Sequence, residues 1–176
     1  HLVTLREGYV KEDVRNKCRI KALFLFEGME FPEGDWSQRL LKVLDKVECQ
    51  EEVRFKLDQI LKNLRYVEKQ IKETTGEIQR FCRQDKDLIE YEKLLRSIPG
   101  IGHTISVYLM ARLGDCRLIR SGEEIASFFW MVPRESSTGE IVRRGSITKS
   151  GDGRIRNKLI QAAWVAIQKD QELLDF

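Results

Sequence analysis

Histidine is nearly missing from this chain: His1 and His103 are the only two in 176 residues. The four cysteines, Cys18, Cys49, Cys82 and Cys116, are spread almost evenly and form no C-x-x-C pair. That combination argues against a zinc site, and no metal ligand set is assigned. The cysteines read as reduced thiols of a cytoplasmic protein. Long apolar runs are missing too. The longest, "ALFLF" and "IASFFWMV", are far too short to span a bilayer, so no membrane partner is expected. No signal peptide, internal repeat, low-complexity linker or G-x-S-x-G elbow is visible. Proline is scarce, and none interrupts residues 50–97. The chain opens with His1 rather than Met, and Phe176 closes it inside an apparent helix, which reads as a fragment.

What is present is charge, at 34% of residues, with 9% aromatics. That balance fits a soluble protein rich in long helices, built as one domain or as a small domain plus an extension. Residues 2–27 read as a helix, with Val14, Cys18, Ile20, Leu23, Phe24 and Phe26 at mostly three- and four-residue spacings. Gly28 is its expected stop, "FPEGD" a turn, and residues 36–47 a short second helix. Val53, Leu57, Ile60, Leu64, Val67, Ile71, Thr74, Ile78 and Phe81 then alternate steps of four and three, a heptad seam with one polar member. The spacing predicts a helix of about 40 residues, some 60 Å long at 1.5 Å per residue. So narrow an apolar stripe must pair, either with the helix of residues 2–27 or with a second copy of the chain.

"LLRSIPGIGHTISVYLMARLGD" reads as two helices joined by a tight turn, the pattern of a helix-hairpin-helix. Pro99 donates no backbone hydrogen bond, and Gly100 and Gly102 permit left-handed backbone and close approach. In such a turn, backbone N–H groups at the start of the second helix face a phosphate oxygen, a contact that ignores base sequence. An ordinary helix connection would look similar. "SGEEIASFFWMVP" predicts a further helix, with Ser121 and Glu124 at capping-box spacing and Pro133 at its end.

The net charge of +3 hides its distribution. Residues 134–158, "RESSTGEIVRRGSITKSGDGRIRNK", hold seven Arg or Lys, three acids and six Ser or Thr, which leaves the rest of the chain at −1. The helix that follows, with Ile155, Leu159, Ala162, Ala163, Ala166 and Ile167 on its apolar face, is capped by Asp152 or Ser150. Arg154, Arg156 and Lys158 fall in or near its first turn. Cations there oppose the helix dipole, at about 0.3–1 kcal/mol each when exposed. They make sense if an anion arrives, and Arg143, Arg144 and Lys149 nearby suggest nucleic acid. A solvated basic loop is the bland reading.

Ser136, Ser137 and Thr138 precede Gly139 in a short turn. Neither histidine lies nearby, so a Ser–His–Asp hydrolase is not expected. Clustered cations would stabilise a phosphoryl transition state and favour the alkoxide of a neighbouring serine. A serine attacking a phosphodiester would form a phosphoserine link that keeps the bond energy for rejoining. By chemistry alone, a bare serine in a loop is far more often a turn residue than a nucleophile, and nothing separates Ser136 from Ser137.

"SIPGIGHTISVYLMARLGD" followed by "FFWMVPRESSTGEIVRRGSITKSGDGRIRNKLIQAAW" resembles the C-terminal domain of bridge-RNA-guided insertion-sequence transposases, the IS one-ten family. The resemblance covers about residues 90–175, and "VRNKCRIKALFLFEG" is similar to the helix that follows the family's N-terminal catalytic domain. It implies a recombinase in which a RuvC-like domain with four acidic residues binds Mg²⁺. A helical coiled-coil region mediates oligomerisation, a C-terminal domain supplies a serine nucleophile, and a structured RNA pairs with target and donor DNA. Carried onto this chain, the resemblance implies that Ser137 is the nucleophile, with Ser136 ahead of the motif and Thr138 in its middle position. It further implies that Arg143, Arg144, Lys149, Arg154 and Arg156 contact DNA or guide RNA, and that the turn Gly100, Ile101, Gly102 contacts backbone phosphate. Trp130 stands where the family pattern usually has Gly. No strand-borne Asp and Glu set lies near the N-terminus, so Mg²⁺ is expected in a RuvC-like domain absent from this chain and no cofactor on the chain itself.

The expected fold is mainly α. A coiled-coil-like helical arm, residues 1–89, leads into a compact helical domain, residues 90–176, with the helix-hairpin-helix and a small β-hairpin around Ile141–Ile147 that turns at "RRG". The expected function is DNA transposition as part of such a transposase, not active alone, with homo-oligomerisation through residues 53–81. The alternatives are a non-catalytic helix-hairpin-helix module that binds nucleic acid, and a helical scaffold that dimerises through residues 53–81.

Overall fold

The computed structural model describes residues 1–114, 119–135, 144–147 and 150–170. The protein is mainly helical, with one small sheet among these residues. The chain forms two compact units, His1–Phe81 and Cys82–Phe176.

The first unit is built from α1 (Leu2–Phe26), α2 (Gln38–Leu44) and most of α3 (Glu51–Gln84). Gly28 stops α1 as expected. It adopts φ +65°, so its N–H reaches the Leu25 carbonyl at 3.3 Å and the Met29 N–H reaches that of Phe24 at 2.9 Å. This is the left-handed closure that glycine permits at little cost. Helix α2 starts at Ser37, whose hydroxyl accepts the Leu40 N–H. Ile20, Leu23 and Phe24 of α1, Leu40, Leu41 and Leu44 of α2, and Val53, Leu57, Leu61 and Leu64 of α3 make the core. Phe31 and Trp36 from the intervening turn close over it, Phe31 lying edge-on to Phe24 at 5.3 Å.

Helix α3 finds its partner within the chain. Arg6 Nε donates to Thr75 Oγ1 at 2.8 Å, and Asn63 Nδ2 donates to Asn16 Oδ1 at 3.2 Å, so α1 runs antiparallel to α3. The inward positions are Val53, Leu57, Leu61, Leu64, Val67, Thr74, Ile78 and Cys82, with Ile71 half-buried between them. That series follows the period of a straight helix, about 3.6 residues, not the 3.5 of a heptad seam. The drift replaces the expected Ile60 and Phe81 by Leu61 and Cys82, and it leaves Phe81 55% exposed. Buried Thr74 donates its hydroxyl to the Gln70 carbonyl at 2.7 Å, which satisfies the one polar member.

The expected helix of about 40 residues is interrupted. Asp85 is extended, at φ −119° and ψ 123°, and its carboxylate accepts the N–H groups of Asp87 and Leu88. An aspartate cap thus ends one helix and starts the next without proline or glycine. Asp85→Ala is expected to cost about 1 kcal/mol, read as a lower midpoint in urea unfolding.

The second unit holds α4 (Lys86–Ser97), α5 (His103–Leu113), α6 (Gly122–Phe128), β1 (Pro133–Glu135), β2 (Arg144–Ile147) and α7 (Gly153–Ile167). Tyr108, Val107, Leu109 and Met110 of α5, Phe129, and Ile155, Ala162 and Ala166 of α7 are buried. Ser121 caps α6 by accepting the Glu124 N–H, while the Glu124 carboxylate accepts the Arg120 N–H at 2.8 Å. Helix α6 ends at Phe128, short of the expected Pro133. The Trp130 N–H bonds to the Ser127 carbonyl and the Met131 N–H to that of Ala126, the same closure as at Gly28, with Trp130 at φ +56°. The β-hairpin also differs from expectation. Pro133–Glu135 pairs antiparallel with Arg144–Ile147, so Arg144 and Gly145 lie in a strand and not at a turn.

Cys18, Cys49 and Cys82 are free thiols, and Cys116 lies outside the described residues. No described helix is long and apolar enough to cross a membrane.

Candidate nucleic-acid interface

The second unit gathers its chemistry around α7. The turn between α4 and α5 is seated on that helix. Ile98 ends α4 in extended backbone, and the Ile101 N–H returns to its carbonyl at 3.1 Å. Gly100 takes φ +86°. A Cβ there would stand 2.9 Å from the Ala162 carbonyl carbon and overlap its oxygen. The small side chain of Ala162 and the missing one of Gly100 let turn and helix touch backbone to backbone. Gly102 differs from the sequence expectation. It is the N-cap of α5 at φ −88° and ψ 176°, with open space where a Cβ would go. Close approach and left-handed backbone belong to Gly100 alone in this turn. Beside it, His103 Nδ1 lies 2.7 Å from Glu92 Oε1, and Arg96 reaches the same oxygen at 3.4 Å.

At the start of α7, Asp152 is the cap, accepting the Arg154 N–H at 3.0 Å. Its carboxylate gathers much more. Arg154 Nε donates to Oδ1 at 3.0 Å and Nη2 to Oδ2 at 3.3 Å. Tyr108 donates its hydroxyl to Oδ2 at 3.0 Å, and Arg112 Nη2 lies 2.8 Å from that oxygen. Lys158 Nζ sits 5.1 Å and Arg112 Cζ 5.7 Å from the centre of the Tyr108 ring. Burial raises the Asp152 carboxyl, but the hydrogen bonds from the Arg154 side chain and backbone and from Tyr108 outweigh it and hold it at about 2. The dipole problem posed by cations at this helix start is thus answered in part by the protein's own carboxylate.

A pH dependence follows. The unfolded carboxyl titrates near 3.9, above the folded value, so its stabilisation is complete above about pH 4 and disappears as pH falls through about 2. Wild type is expected to lose about 2 kcal/mol relative to Asp152→Asn between about pH 5 and pH 2. Urea unfolding of both proteins across that range checks it. Parallel stability curves would refute the linkage.

Of the residues singled out in the sequence, Gly100, Ile101, Gly102, Arg154 and Arg156 lie on the turn or on α7. Arg154 is paired with Asp152, and Arg156 is half-buried. Arg144 is placed by its backbone at the head of β2, opposite Glu135. Ser137, with Ser136 and Thr138, and Arg143 and Lys149 lie outside the described residues. In sequence, residues 136–143 fall between the two paired strands. Sequence reasoning passed over Tyr108 and Arg112. Their spacing of four residues on α5 was the one available signal, and nothing in it pointed to Asp152. Among the described residues, no group of three or more His, Cys, Asp or Glu side chains could hold a metal ion.

Residues 92–176 match the family model described as Transposase IS116/IS110/IS902 family. Across most of its length the chain is similar to the transposase for insertion sequence element IS1328 of Yersinia enterocolitica, 29% identical over 166 residues, covering 94% of this chain and 48% of the relative. A probable family 20 transposase of Pseudomonas aeruginosa is 32% identical over 112 residues, 64% of this chain and 32% of its own. A pilin gene-inverting protein of Moraxella bovis is 28% identical over 102 residues, 57% of this chain and 32% of its own. The chain spans about half the length of the Yersinia relative and about a third of the other two. The seated turn, the Asp152 cluster and the serine and basic motifs all fall inside residues 92–176, the span similar to the Transposase IS116/IS110/IS902 family.

Proposed function

We propose that this chain is the helical and serine-bearing part of an insertion-sequence transposase that recombines DNA through a phosphoserine intermediate. The family match over residues 92–176, with the Ser137 motif and the basic run inside it, carries this reading. Ser137 Oγ attacks a DNA phosphorus. One ester bond forms, the bond to the departing strand breaks, and the serine proton ends on the released DNA hydroxyl. The reverse attack by a DNA hydroxyl restores the serine and joins strands without ATP. Arg143, Arg144, Lys149, Arg154 and Arg156 hold phosphates of DNA or guide RNA around this centre, and their charge favours the attacking oxygen. The Gly100–Gly102 turn acts as a helix-hairpin-helix contact to backbone phosphate. A RuvC-like domain outside residues 1–176 supplies the Mg²⁺ chemistry, and a structured bridge RNA supplies sequence readout. Copies associate as a coiled coil through residues 53–81. Because α1 occupies the inward positions of α3, exposed Phe55, Tyr66 and Phe81 are the apolar side chains left for that contact. A cytoplasmic location suits the free thiols.

The test combines the full chain with a separately expressed RuvC-like domain from a relative, Mg²⁺, guide RNA and labelled target DNA. A covalent protein–DNA adduct on a denaturing gel is the expected result. DNA binding without an adduct, while the relative's own serine domain yields one in the same mixture, would establish the non-catalytic helix-hairpin-helix binding module instead.

A further inference from the structure

Two apolar residues that the core does not use meet on one side of the first unit. Phe26 follows buried Phe24 by two positions, so it points the other way and is 86% exposed. Ile60 lost its inward place to Leu61 and is half-buried. Phe26, Ile60, exposed Phe55 and the flank of Leu23 line a groove of about 640 Å³ between α1 and α3. Arg19 and Lys56 line it too, and no acidic side chain does. Arg19 donates to the neutral Asn16 Oδ1 at 3.4 Å, and among the described residues neither cation forms an ion pair. In the antiparallel register set by Asn16 and Asn63, Arg19 falls beside Ile60 and Lys56 nearer Phe26, so one cation stands toward each end. Tyr66 and Phe81, the other apolar side chains left for association of copies, do not line the groove.

We propose that this groove docks an acidic amphipathic helix of a protein partner, its apolar stripe on Phe26, Phe55 and Ile60 and its carboxylates on Arg19 and Lys56. Two antiparallel helices leave between them a furrow that a third helix fills by ridge-into-groove packing. From Arg19 to Phe26 the groove follows α1 for about two turns, about 10 Å, so acids that far apart on the partner meet both cations. Charge selects this occupant over the others. A second copy applying the same face would set Arg19 and Lys56 against their like, which costs affinity. A phosphate backbone would gain two cations and find nothing to bind on the apolar floor.

The experiment titrates the full chain into a fluorescent designed helix of about four turns, with Leu and Phe along one stripe and Glu flanking it, and into the same peptide with Lys in place of Glu. Anisotropy is expected to favour the Glu peptide by about ten-fold at low salt, with the gap narrowing as salt rises. Phe26→Ser is expected to weaken that binding about ten-fold. Arg19→Glu combined with Lys56→Glu is expected to reverse the preference. Heat unfolding of each variant separates lost contact from lost structure, and if Phe26→Ser melts early the charge reversal decides. Equal binding of the two peptides overturns the proposal, as does unchanged affinity in a folded Phe26→Ser protein. A wild type that sediments as a dimer while Phe26→Ser is a monomer would overturn it and assign the groove to a second copy. Binding of a single-stranded oligonucleotide that Phe26→Ser abolishes would overturn it in favour of nucleic acid.

Discussion

Ser137→Ala is expected to abolish the covalent protein–DNA adduct, because the variant lacks the oxygen that would bond to phosphorus. Catalytic groups that act as a unit fail together when the nucleophile is removed. Strand transfer should therefore fall by a factor on the order of 10⁴ or more. Binding should not change, since no charge is lost and the salt dependence of affinity counts charges. Ser136→Ala and Thr138→Ala are the informative partners. Both should retain the adduct, because the proposed function places the nucleophile at Ser137. An adduct that persists in Ser137→Ala and vanishes in Ser136→Ala would move the assignment by one residue. The denaturing-gel assay decides between them, with binding measured on the same preparations.

Gly100→Ala should be the most damaging small change in the helical scaffold. An L-residue at φ +86° costs about 1–2 kcal/mol in backbone strain alone. The added methyl would also overlap the carbonyl oxygen of Ala162, an atom of a regular helix that cannot swing aside as a side chain would. Overpacking of this kind costs about 1–3 kcal/mol. Together the two effects give about 3 kcal/mol, or about 15 °C of melting temperature for a unit of this size. Gly102→Ala is the control. Its backbone is extended and its surroundings open, so the loss should stay below about 1 kcal/mol, that of a weakened N-cap. Calorimetry of both variants reads the difference. If Gly100→Ala melts within about 2 °C of wild type, the turn is not seated on α7 as described.

The same contrast shows what the sequence can specify. Local signals act through a residue's own backbone or its near neighbours, and these were legible. Gly28 stops α1 because glycine alone enters left-handed backbone freely, Ser121 caps α6, and Asp152 caps α7. The helix–turn–helix around Gly100 could likewise be read from Pro99 and its flanking apolar residues. The serine motif was recognisable as a pattern, and the family match over residues 92–176 contains it.

Tertiary structure decided the rest. A 3.5-residue seam and a 3.6-residue helix look alike over two turns, and only α1 lying along α3 selects Leu61 over Ile60. Trp130 has no local reason to adopt φ +56°, but its ring lies against Gly151, where a Cβ would come within 2.7 Å of Cγ. Gly100 and Gly102 are indistinguishable in sequence and differ only because α7 passes beneath one of them. Tyr108 and Asp152, 44 positions apart, meet because α5 packs on α7. The sequence by itself determined which segments become helices and which residues carry the charge and the hydroxyls. The assembly of Tyr108, Arg112 and Arg154 around the Asp152 carboxylate depended on packing between helices, a long-range term that no spacing along the chain encodes.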